Sequence, residues 1–271
     1  MTDAFGRAIR DHHRGTRTEP LRQGDGEATR EHPIEAFYFA EFDPESDAGS
    51  WLASRLRGPL VDLGAGAGRH ALHFQERFET VAVETSPALV ETMRDRGVDD
   101  AREGDMFALR DAFERDRFAS ALAIGTQIGL TGSMRGLSAF LGDLAFVTTP
   151  DATAVVDCYD PNHPGVADLL GYREDPTPGL AGRVMWFAYA GERARRSSSD
   201  CSLPVDSARR RSGPGGRSTR STAREPETGR TTARRSKSGE SPRPGRSRAT
   251  TPSARRDRGR SRGSRGRRRR P

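Results

Sequence analysis

The stretch LVDLGAGAGRH, residues 60–70, decides which fold this chain is expected to adopt. Its first four residues are apolar except for Asp62, which is typical of a short buried strand. Glycine then occupies every second position, at Gly64, Gly66 and Gly68. Because glycine tolerates a positive φ angle and has no side chain, this spacing indicates a sharp turn or a backbone that lies close to a ligand. We therefore predict a strand, a glycine loop and the first turn of a helix.

The residues that follow alternate between apolar runs and helical patterns. The runs that predict strands are residues 60–63, 81–83, 119–124 and 153–156, with a weaker one near residues 100–102. Between the first two runs, Ala71, Phe74 and Phe78 lie on one helical face. A second helix is expected to begin at Ser86, which precedes the first-turn proline that helices favour. Strands that alternate with helices imply a parallel sheet with helices on both faces, so the sequence predicts an α/β domain over residues 50–193.

The two flanks of this domain differ from it. Residues 1–49 are polar apart from one aromatic cluster, IEAFYFAEF, and we expect a helical or cap segment there. The stretch GRVMWFAYAGE, residues 182–192, predicts one further strand that is buried or packed under another element. Beyond it, residues 197–271 contain only two residues of the types Leu, Ile, Val, Met, Phe, Trp and Tyr. Such a segment cannot offset its ordering entropy, so residues 194–271 are predicted to be a disordered tail.

Charge divides the chain at the same point. Residues 1–193 carry 20 arginines and no lysine against 32 aspartates and glutamates, a balance of −12. Residues 194–271 carry 25 basic against 6 acidic residues, a balance of +19, and the whole chain has a charge of +7. An acidic surface that uses arginine alone is typical of a halophilic protein, because salt screens the repulsion between hydrated carboxylates. A GC-rich genome that favours arginine codons explains the same bias, and both interpretations remain open.

Two familiar nucleotide motifs do not fit the glycine loop. The dinucleotide motif G-x-G-x-x-G, counted from Gly64, requires a third glycine where the chain has Arg69. A P-loop requires Gly-Lys followed by Ser or Thr, and no such sequence follows the strand. NAD is therefore disfavoured, and so is a P-loop nucleotide site. The pattern that fits is Asp62-x-Gly64-x-Gly66-x-Gly68, an acidic residue followed by alternating glycines.

This motif and two acidic residues that follow it resemble the class I S-adenosylmethionine-dependent methyltransferases over residues 34–160. Glu84 lies 20 residues after Gly64, and Asp105 lies in the later segment EGDMFAL. The resemblance implies a Rossmann-like parallel sheet, S-adenosylmethionine as the cofactor, and methyl transfer to a small molecule. Class I folds usually have seven strands, so this sheet is expected to be incomplete at its last strands.

The resemblance also implies particular cofactor contacts. Asp62 would lie near the ammonium group, Glu84 would accept hydrogen bonds from the ribose hydroxyls, and Asp105 would accept one from the adenine amine. The complete set of expected cofactor-binding residues is Asp62, Gly64, Ala65, Gly66, Gly68, Glu84, Thr85, Asp105, Met106, Gly125 and Thr126. For Gly68 the alternative is a role in helix packing alone.

The sequence identifies no catalytic residue. Displacement at a sulfonium methyl needs alignment of the reactants more than acid–base chemistry, and Tyr38, Gln127 and Asp160 are only conceivable bases. Tyr38 and Phe39 either close over the cofactor or pack in the core. The six histidines and two cysteines form no spaced ligand pattern, so no metal site and no disulfide framework are expected.

Location and partners are inferred from the same sequence. No apolar run approaches the roughly 20 residues of a membrane span, and the first residues lack the apolar core of a signal peptide. We therefore expect a reduced cytoplasmic setting and no membrane partner. A small-molecule substrate is preferred, because the predicted domain has no basic face for nucleic acid.

Two interpretations of the tail remain open, and the first is favoured. One is a frameshift near Arg195, because in the shifted frame the codons of SSSDCSLPVDS permit LFRLFSPRRLR, which predicts an amphipathic strand and a helix start. The chain as written would then be a truncated, poorly active or inactive methyltransferase-like protein. The other is a genuine arginine-rich tail that binds nucleic acid nonspecifically by charge, without the interleaved aromatic residues that stack on bases.

Overall fold

The computed structural model describes residues 3–160, 163, 165–166, 168–177 and 180–201, with side chains described up to residue 193. The helices are α1 Ala4–His13, α2 Asp47–Ala53, α3 Arg69–Phe74, α4 Pro87–Asp95, α5 Leu109–Ala112 and α6 Met134–Val147. The strands are β1 Arg22–Asp25, β2 Ala28–Glu31, β3 Leu60–Leu63, β4 Thr80–Glu84, β5 Ala101–Glu103, β6 Phe118–Ala123, β7 Thr148–Val156, β8 Tyr172–Glu174, β9 Leu180–Tyr189 and β10 Glu192–Cys201. A π-helical turn, Glu35–Phe39, and a 3₁₀ turn, Gln127–Thr131, are also present.

Five strands form the parallel sheet that the sequence predicts, in the order β5-β4-β3-β6-β7. Each neighbouring pair runs parallel. All residues of β3 and β4 are buried, as expected for strands that are covered on both faces. The strands β4 and β5 extend the sheet on one side of β3, whereas β6 and β7 extend it on the other side. At such a reversal of strand order a crevice forms at the carboxyl ends of the strands. The predicted α/β fold is therefore confirmed.

Helices cover both faces of this sheet. Val61 in β3 belongs to a core cluster with Phe140 of α6, whereas its neighbour Leu60 packs with Phe74 of α3. Successive residues of a strand point to opposite faces, so these two clusters lie on opposite sides of the sheet. No helix among the described residues is long and apolar enough to cross a membrane.

A second, antiparallel sheet joins the two flanks of the domain. Its strand order is β10-β9-β1-β2, and β8 also pairs with β9. The apolar stretch RVMWFAYA predicts β9 correctly. The hairpin β1–β2 lies within residues 1–49, which were expected to be helical, and it has no alternation of apolar residues. Pairing with the distant strand β9, which local sequence does not reveal, holds this hairpin in place.

The strand β10 continues past the boundary that composition predicts. Its residues all pair with β9, from Glu192 opposite Tyr189 to Cys201 opposite Leu180. Residues 194–201, expected to begin the disordered tail, therefore form backbone pairs, because a strand's hydrogen bonds do not require apolar side chains. Residues 202–271, the rest of the predicted tail, lie outside the described part of the chain.

Candidate functional site

A cleft opens at the carboxyl ends of β3, β4 and β5. It is lined by Gly64, Val83, Glu84, Thr85, Gly104, Asp105, Met106, Phe107, Gln127 and Leu130. Residues predicted for the cofactor from three separate strand ends therefore meet at one place. The cleft lies where open parallel sheets bind ligands, outside the strand ends and beside the reversal of strand order.

The glycine loop folds tightly over the end of β3. The N–H groups of Gly64 and Ala65 both donate to the same carbonyl oxygen in β4, at 2.9 and 3.1 Å. Gly64 and Gly66 have φ angles of 64° and 60°, a region that side chains rarely allow. A Cβ atom would lie 2.5 Å from Cδ of Gln127 if placed on Gly64, and 3.4 Å from the ring of Tyr38 if placed on Gly66. The loop therefore presents bare backbone to its neighbours.

Gly68 is placed for packing rather than for the cleft. It precedes α3 with a φ angle of 80°. A Cβ atom there would lie 2.7 Å from Cγ2 of Val98 and 3.1 Å from Cγ of Met93. Neither Gly68 nor Ala65 lines the cleft. The helix-packing alternative therefore fits the position of Gly68, because a larger residue would push α3 away from α4.

The carboxylate of Glu84 holds two loop segments together, the glycine loop and the turn that follows β4. Its Oε1 accepts hydrogen bonds from the N–H groups of Thr85 and Ser86, at 2.9 and 3.2 Å, and from Oγ1 of Thr85 at 3.2 Å. Its Oε2 accepts one from the N–H of Gly66 at 3.1 Å. Each carboxylate oxygen has two lone pairs, so Oε2 keeps the capacity to accept from one further donor.

Asp62 lies in β3, two residues before the glycine loop, and is 2% exposed. The backbone N–H of Ala71 donates to its carboxylate, whereas Oδ2 has no hydrogen-bond partner among the described residues. Burial, and then the negative charge of Glu84, raises the pKa of Asp62 to about 7. Asp62 does not line the cleft. A buried carboxylate oxygen with no donor is a position at which a nearby cationic group would be favoured.

The segment after β5 forms another wall of the cleft. Asp105 is exposed, and its Oδ1 accepts from the N–H of Phe107 at 2.9 Å, which fixes a tight turn. Met106 is buried in the main core cluster, while Phe107 is 39% exposed. The wall therefore combines a carboxylate with two apolar side chains. Phe107 was not among the predicted site residues, and its only sequence signal is that it follows the Asp-Met pair.

The loop after β6 brings different residues to the cleft from those predicted. Gln127 and Leu130 line it, whereas Gly125 and Thr126 do not. Thr126 has a φ angle of 63°, and its N–H donates to Oδ1 of Asp157 at 2.6 Å. This left-handed turn carries the chain from β6 into the 3₁₀ turn that begins at Gln127. Gln127, which the sequence places with Gly125 and Thr126 after the fourth strand, where cofactor and substrate are expected to meet, lines the cleft through this turn.

Aromatic residues of the N-terminal segment cover the glycine loop. The ring of Tyr38 lies 3.4 Å from the Cβ position of the second glycine, and its Oη lies 3.0 Å from Nε2 of His32. Nδ1 of His32 lies 2.7 Å from the side-chain amide of Gln23. The ring of Phe39 lies 5.0 Å from the guanidinium carbon of Arg96. Tyr38 therefore closes over the glycine loop, and Phe39 packs against Arg96.

The remaining sequence candidates lie elsewhere. Asp160, the third conceivable base, is outside the lining of the cleft. His70 and His73 pack on the ring of Phe42, with centroids 5.6 and 4.5 Å apart. Within the described part of the chain, no group of three or more His, Cys, Asp or Glu residues could hold a metal ion.

Solved structures of other proteins are similar to this chain. An S-adenosylmethionine-dependent methyltransferase from Bacteroides fragilis, crystallised with S-adenosyl-L-homocysteine, has a TM-score of 0.59 and 23% identity over 76% of this chain and 82% of that chain. The sugar N-methyltransferase KedS8 from Streptoalloteichus sp. ATCC 53650 has a TM-score of 0.44 and 18% identity over 67% of this chain and 83% of that chain. No protein-family model and no curated protein sequence matches the chain. The likeness to the Bacteroides protein shows that this chain has the predicted Rossmann-like methyltransferase fold.

Proposed function

We propose that this chain is an S-adenosylmethionine-dependent methyltransferase that acts on a small molecule. The observation that carries the proposal is the meeting of Glu84, Asp105 and Gly64, the first residue of the glycine loop, around one cleft. The fold shared with the Bacteroides fragilis methyltransferase supports it, because that protein binds the demethylated form of the same cofactor. The excess of carboxylates in residues 1–193 favours a small acceptor over a nucleic acid, whose phosphates would be repelled.

The residues around the cleft fit S-adenosylmethionine in two ways. Gly64 presents backbone without a side chain to the cleft, and a Cβ atom there would clash with Gln127. The unpartnered Oδ2 of Asp62 gives the ammonium or sulfonium charge of the ligand a nearby negative group.

Each wall then has its own role in holding the cofactor. Glu84 accepts from one ribose hydroxyl through Oε2, since its Oε1 is already used by Thr85 and Ser86. This refines the expectation that both ribose hydroxyls bind this carboxylate equally. Asp105 accepts from the adenine amine, and Met106 and Phe107 pack on the ring.

The bound cofactor would supply an electrophilic methyl group together with its leaving group. The chain's own residues bind the ligand, hold the acceptor in line and exclude water. Tyr38 lies over the glycine loop with its hydroxyl fixed by His32, so it is placed to orient an acceptor amine or hydroxyl. We assign no catalytic base.

Titration calorimetry with S-adenosylmethionine on the full chain tests the proposal. In Glu84→Gln the side chain keeps its size and one acceptor oxygen but loses its charge, and we expect binding to weaken about tenfold or more. Glu84→Ala is less informative, because it leaves the N–H groups of Gly66, Thr85 and Ser86 without an acceptor.

The matched control is Glu103→Gln, at the exposed end of β5 and outside the cleft lining, which should bind as the unaltered chain does. Unchanged affinity in Glu84→Gln would rule out the ribose assignment. Binding of NAD instead of S-adenosylmethionine by the unaltered chain would overturn the proposed function.

A further inference from the structure

Two acidic side chains lie on the same face of the parallel sheet, on neighbouring strands. Asp62 in β3 lies directly opposite Ala82 in β4, and Glu84 lies two residues further along β4. Because alternate residues of a strand point to one face, both carboxylates lie on the same side of the sheet. Asp62 is 2% exposed and Glu84 is 6% exposed. Two buried negative charges on neighbouring strands repel each other, which favours a proton on one of them.

The two carboxylates differ in the donors that surround them. Glu84 accepts four hydrogen bonds, three of them from backbone N–H groups. Asp62 accepts from the N–H of Ala71, and its Oδ2 has no hydrogen-bond partner among the described residues. Hydrogen bonds from N–H groups favour the ionised form of a carboxyl group. The negative charge of the pair therefore lies on Glu84, and the proton lies on Asp62.

Apolar residues adjoin Asp62 in the sheet and in the helix that covers it. Its register partners are Ala82 in β4 and Leu122 in β6, and Ala71 of α3 is buried. The glycine loop, residues 64–68, has no charged side chain. These neighbours therefore provide no positive charge that would favour the ionised form of Asp62.

The basic side chains of α3 make other contacts. They are Arg69, His70 and His73. The arginine donates to the carbonyl oxygen of Glu41 at 3.1 Å, and both histidines pack on the ring of Phe42. Within the described part of the chain, the charge that acts on Asp62 is that of Glu84. Burial, and then this negative charge, raises the pKa of Asp62 to about 7.

We propose that the positive charge of the bound cofactor drives a proton off Asp62, so that the cofactor binds more tightly as pH rises toward neutrality. Glu84 lines the cleft, as does Gly64, two residues after Asp62. A cation in the cleft offsets the charge of Glu84 and so favours the ionised form of Asp62. The O–H bond of Asp62 breaks, and the proton passes to water and then to the buffer. The inference deepens the proposed function and rests on it, because it concerns how the same site holds S-adenosylmethionine.

The direction of the pH dependence follows from the protonation of Asp62 before the ligand binds. Near pH 7 the carboxyl group is half protonated, and at lower pH binding must displace a proton that is held more fully. At higher pH the carboxylate is already ionised, and this contribution to the affinity becomes level. With the proton fully displaced in the complex, the affinity should be about tenfold weaker at pH 6 than at pH 8.

Titration calorimetry of the full chain with S-adenosylmethionine at pH 7, in buffers of different ionisation enthalpy, measures the protons released. The slope of the binding enthalpy against the ionisation enthalpy of the buffer gives their number. Asp62→Asn keeps the shape of the side chain and cannot ionise. The unaltered chain should release roughly 0.5 proton more per cofactor than this variant. The amino group of the ligand titrates at about pH 8 with either protein, so the difference between the two proteins removes it.

The affinity of the variant gives a second measurement. Apart from the titration of the ligand, Asp62→Asn should bind equally at pH 6 and pH 8. At pH 8 it should bind at least about tenfold more weakly than the unaltered chain, because its neutral amide resembles protonated Asp62. The matched control is Asp47→Asn, since Asp47 is exposed in the first turn of α2 and does not line the cleft. This control should release protons and respond to pH as the unaltered chain does.

The same titrations with S-adenosyl-L-homocysteine separate the two positive charges of the cofactor, because this ligand keeps the ammonium group and lacks the sulfonium charge. Equal proton release by both ligands assigns the effect to the ammonium group, and release with S-adenosylmethionine alone assigns it to the sulfonium.

The inference is overturned if the unaltered chain and Asp62→Asn bind S-adenosylmethionine with the same proton release and the same pH dependence. That result would leave the proposed function intact, because the cofactor still binds. Absence of binding by the unaltered chain at both pH values would instead overturn the proposed function, and this inference with it.

Discussion

Asp62 is a single residue whose ionisation is set by its surroundings. Its carboxylate is buried, lies near the charge of Glu84 and receives the backbone N–H of Ala71, and its pKa rises to about 7. The pKa of this carboxyl group in the unfolded chain stays near its ordinary value of 3.8. The folded state therefore binds more protons than the unfolded state between about pH 4 and pH 7. The free energy of unfolding should fall as pH rises through this range, and this contribution should be level above it.

We expect Asp62→Asn to remove this pH dependence, because asparagine has the same shape and does not ionise. Relative to the unaltered chain, the variant should be more stable at pH 8 than at pH 5, by roughly 3 kcal/mol. Urea unfolding of both proteins at the two pH values measures the difference, in which the titration of all other groups cancels. An identical difference at pH 5 and pH 8 would show that Asp62 ionises normally.

Gly68 shows how one missing side chain sets the distance between two helices. Gly68→Ala should lower the free energy of unfolding by roughly 2–4 kcal/mol, because it adds a positive-φ penalty and a clash with Val98 and Met93. Gly15→Ala is the control, since Gly15 has a φ angle of 68° but nothing within 4 Å of its Cβ position. It should cost only about 1 kcal/mol. Equal losses in urea unfolding would mean that packing at Gly68 is unimportant.

At the scale of elements, one serine links α1, α4 and the cleft. The Oγ of Ser86 caps α4 by accepting from the N–H of Leu89 at 3.1 Å, and it donates to Oδ2 of Asp3, the N-cap of α1, at 2.5 Å. The N–H of Ser86 donates to Glu84. The position of the N-terminal helix is therefore connected through two hydrogen bonds to a residue of the candidate cofactor site.

Ser86→Ala should destabilise the protein more than the loss of a helix cap alone. Ser133 provides the comparison, because it caps α6 through the N–H of Gly136 and has no link to another helix. We expect Ser133→Ala to cost about 1 kcal/mol. Ser86→Ala should cost roughly 1–2 kcal/mol more, since it also removes a hydrogen bond to a carboxylate. Chemical unfolding measures both losses, and equal values would show that the contact with Asp3 adds nothing.

At the scale of the whole molecule, the parallel sheet ends at β7, which among the described residues pairs only with β6. An uncovered strand edge promotes aggregation, and strands that covered it would add apolar burial worth about 25 cal/mol per Å². If the reading frame shifts near Arg195, the frame-corrected chain should therefore melt at a higher temperature and transfer methyl groups faster than the chain as written. The first experiment is to resequence the gene around the Arg195 codon, because this shows whether the reading frame shifts there. Equal melting and equal turnover would instead make residues 194–271 a genuine appendage.

The strand, the glycine loop and the acidic residues at Glu84 and Asp105 could be predicted because they are local patterns. A buried strand requires a continuous apolar run, and a sharp turn at its end requires glycine. Both requirements therefore produce a recognisable pattern within a few neighbouring residues. The alternation of strands and helices was sufficient to predict the α/β class and a cleft at the carboxyl ends of the strands. All of these features could therefore be predicted from neighbouring residues alone.

Other features depend on contacts between segments that are far apart in the chain. The hairpin β1–β2 has no strand pattern of its own and exists through pairing with β9, more than 150 residues later. Gln127 reaches the cleft through the left-handed turn at Thr126, which Asp157 holds from the neighbouring strand end. These placements depend on hydrogen bonds between distant segments, and such bonds leave no periodicity in the chain that forms them.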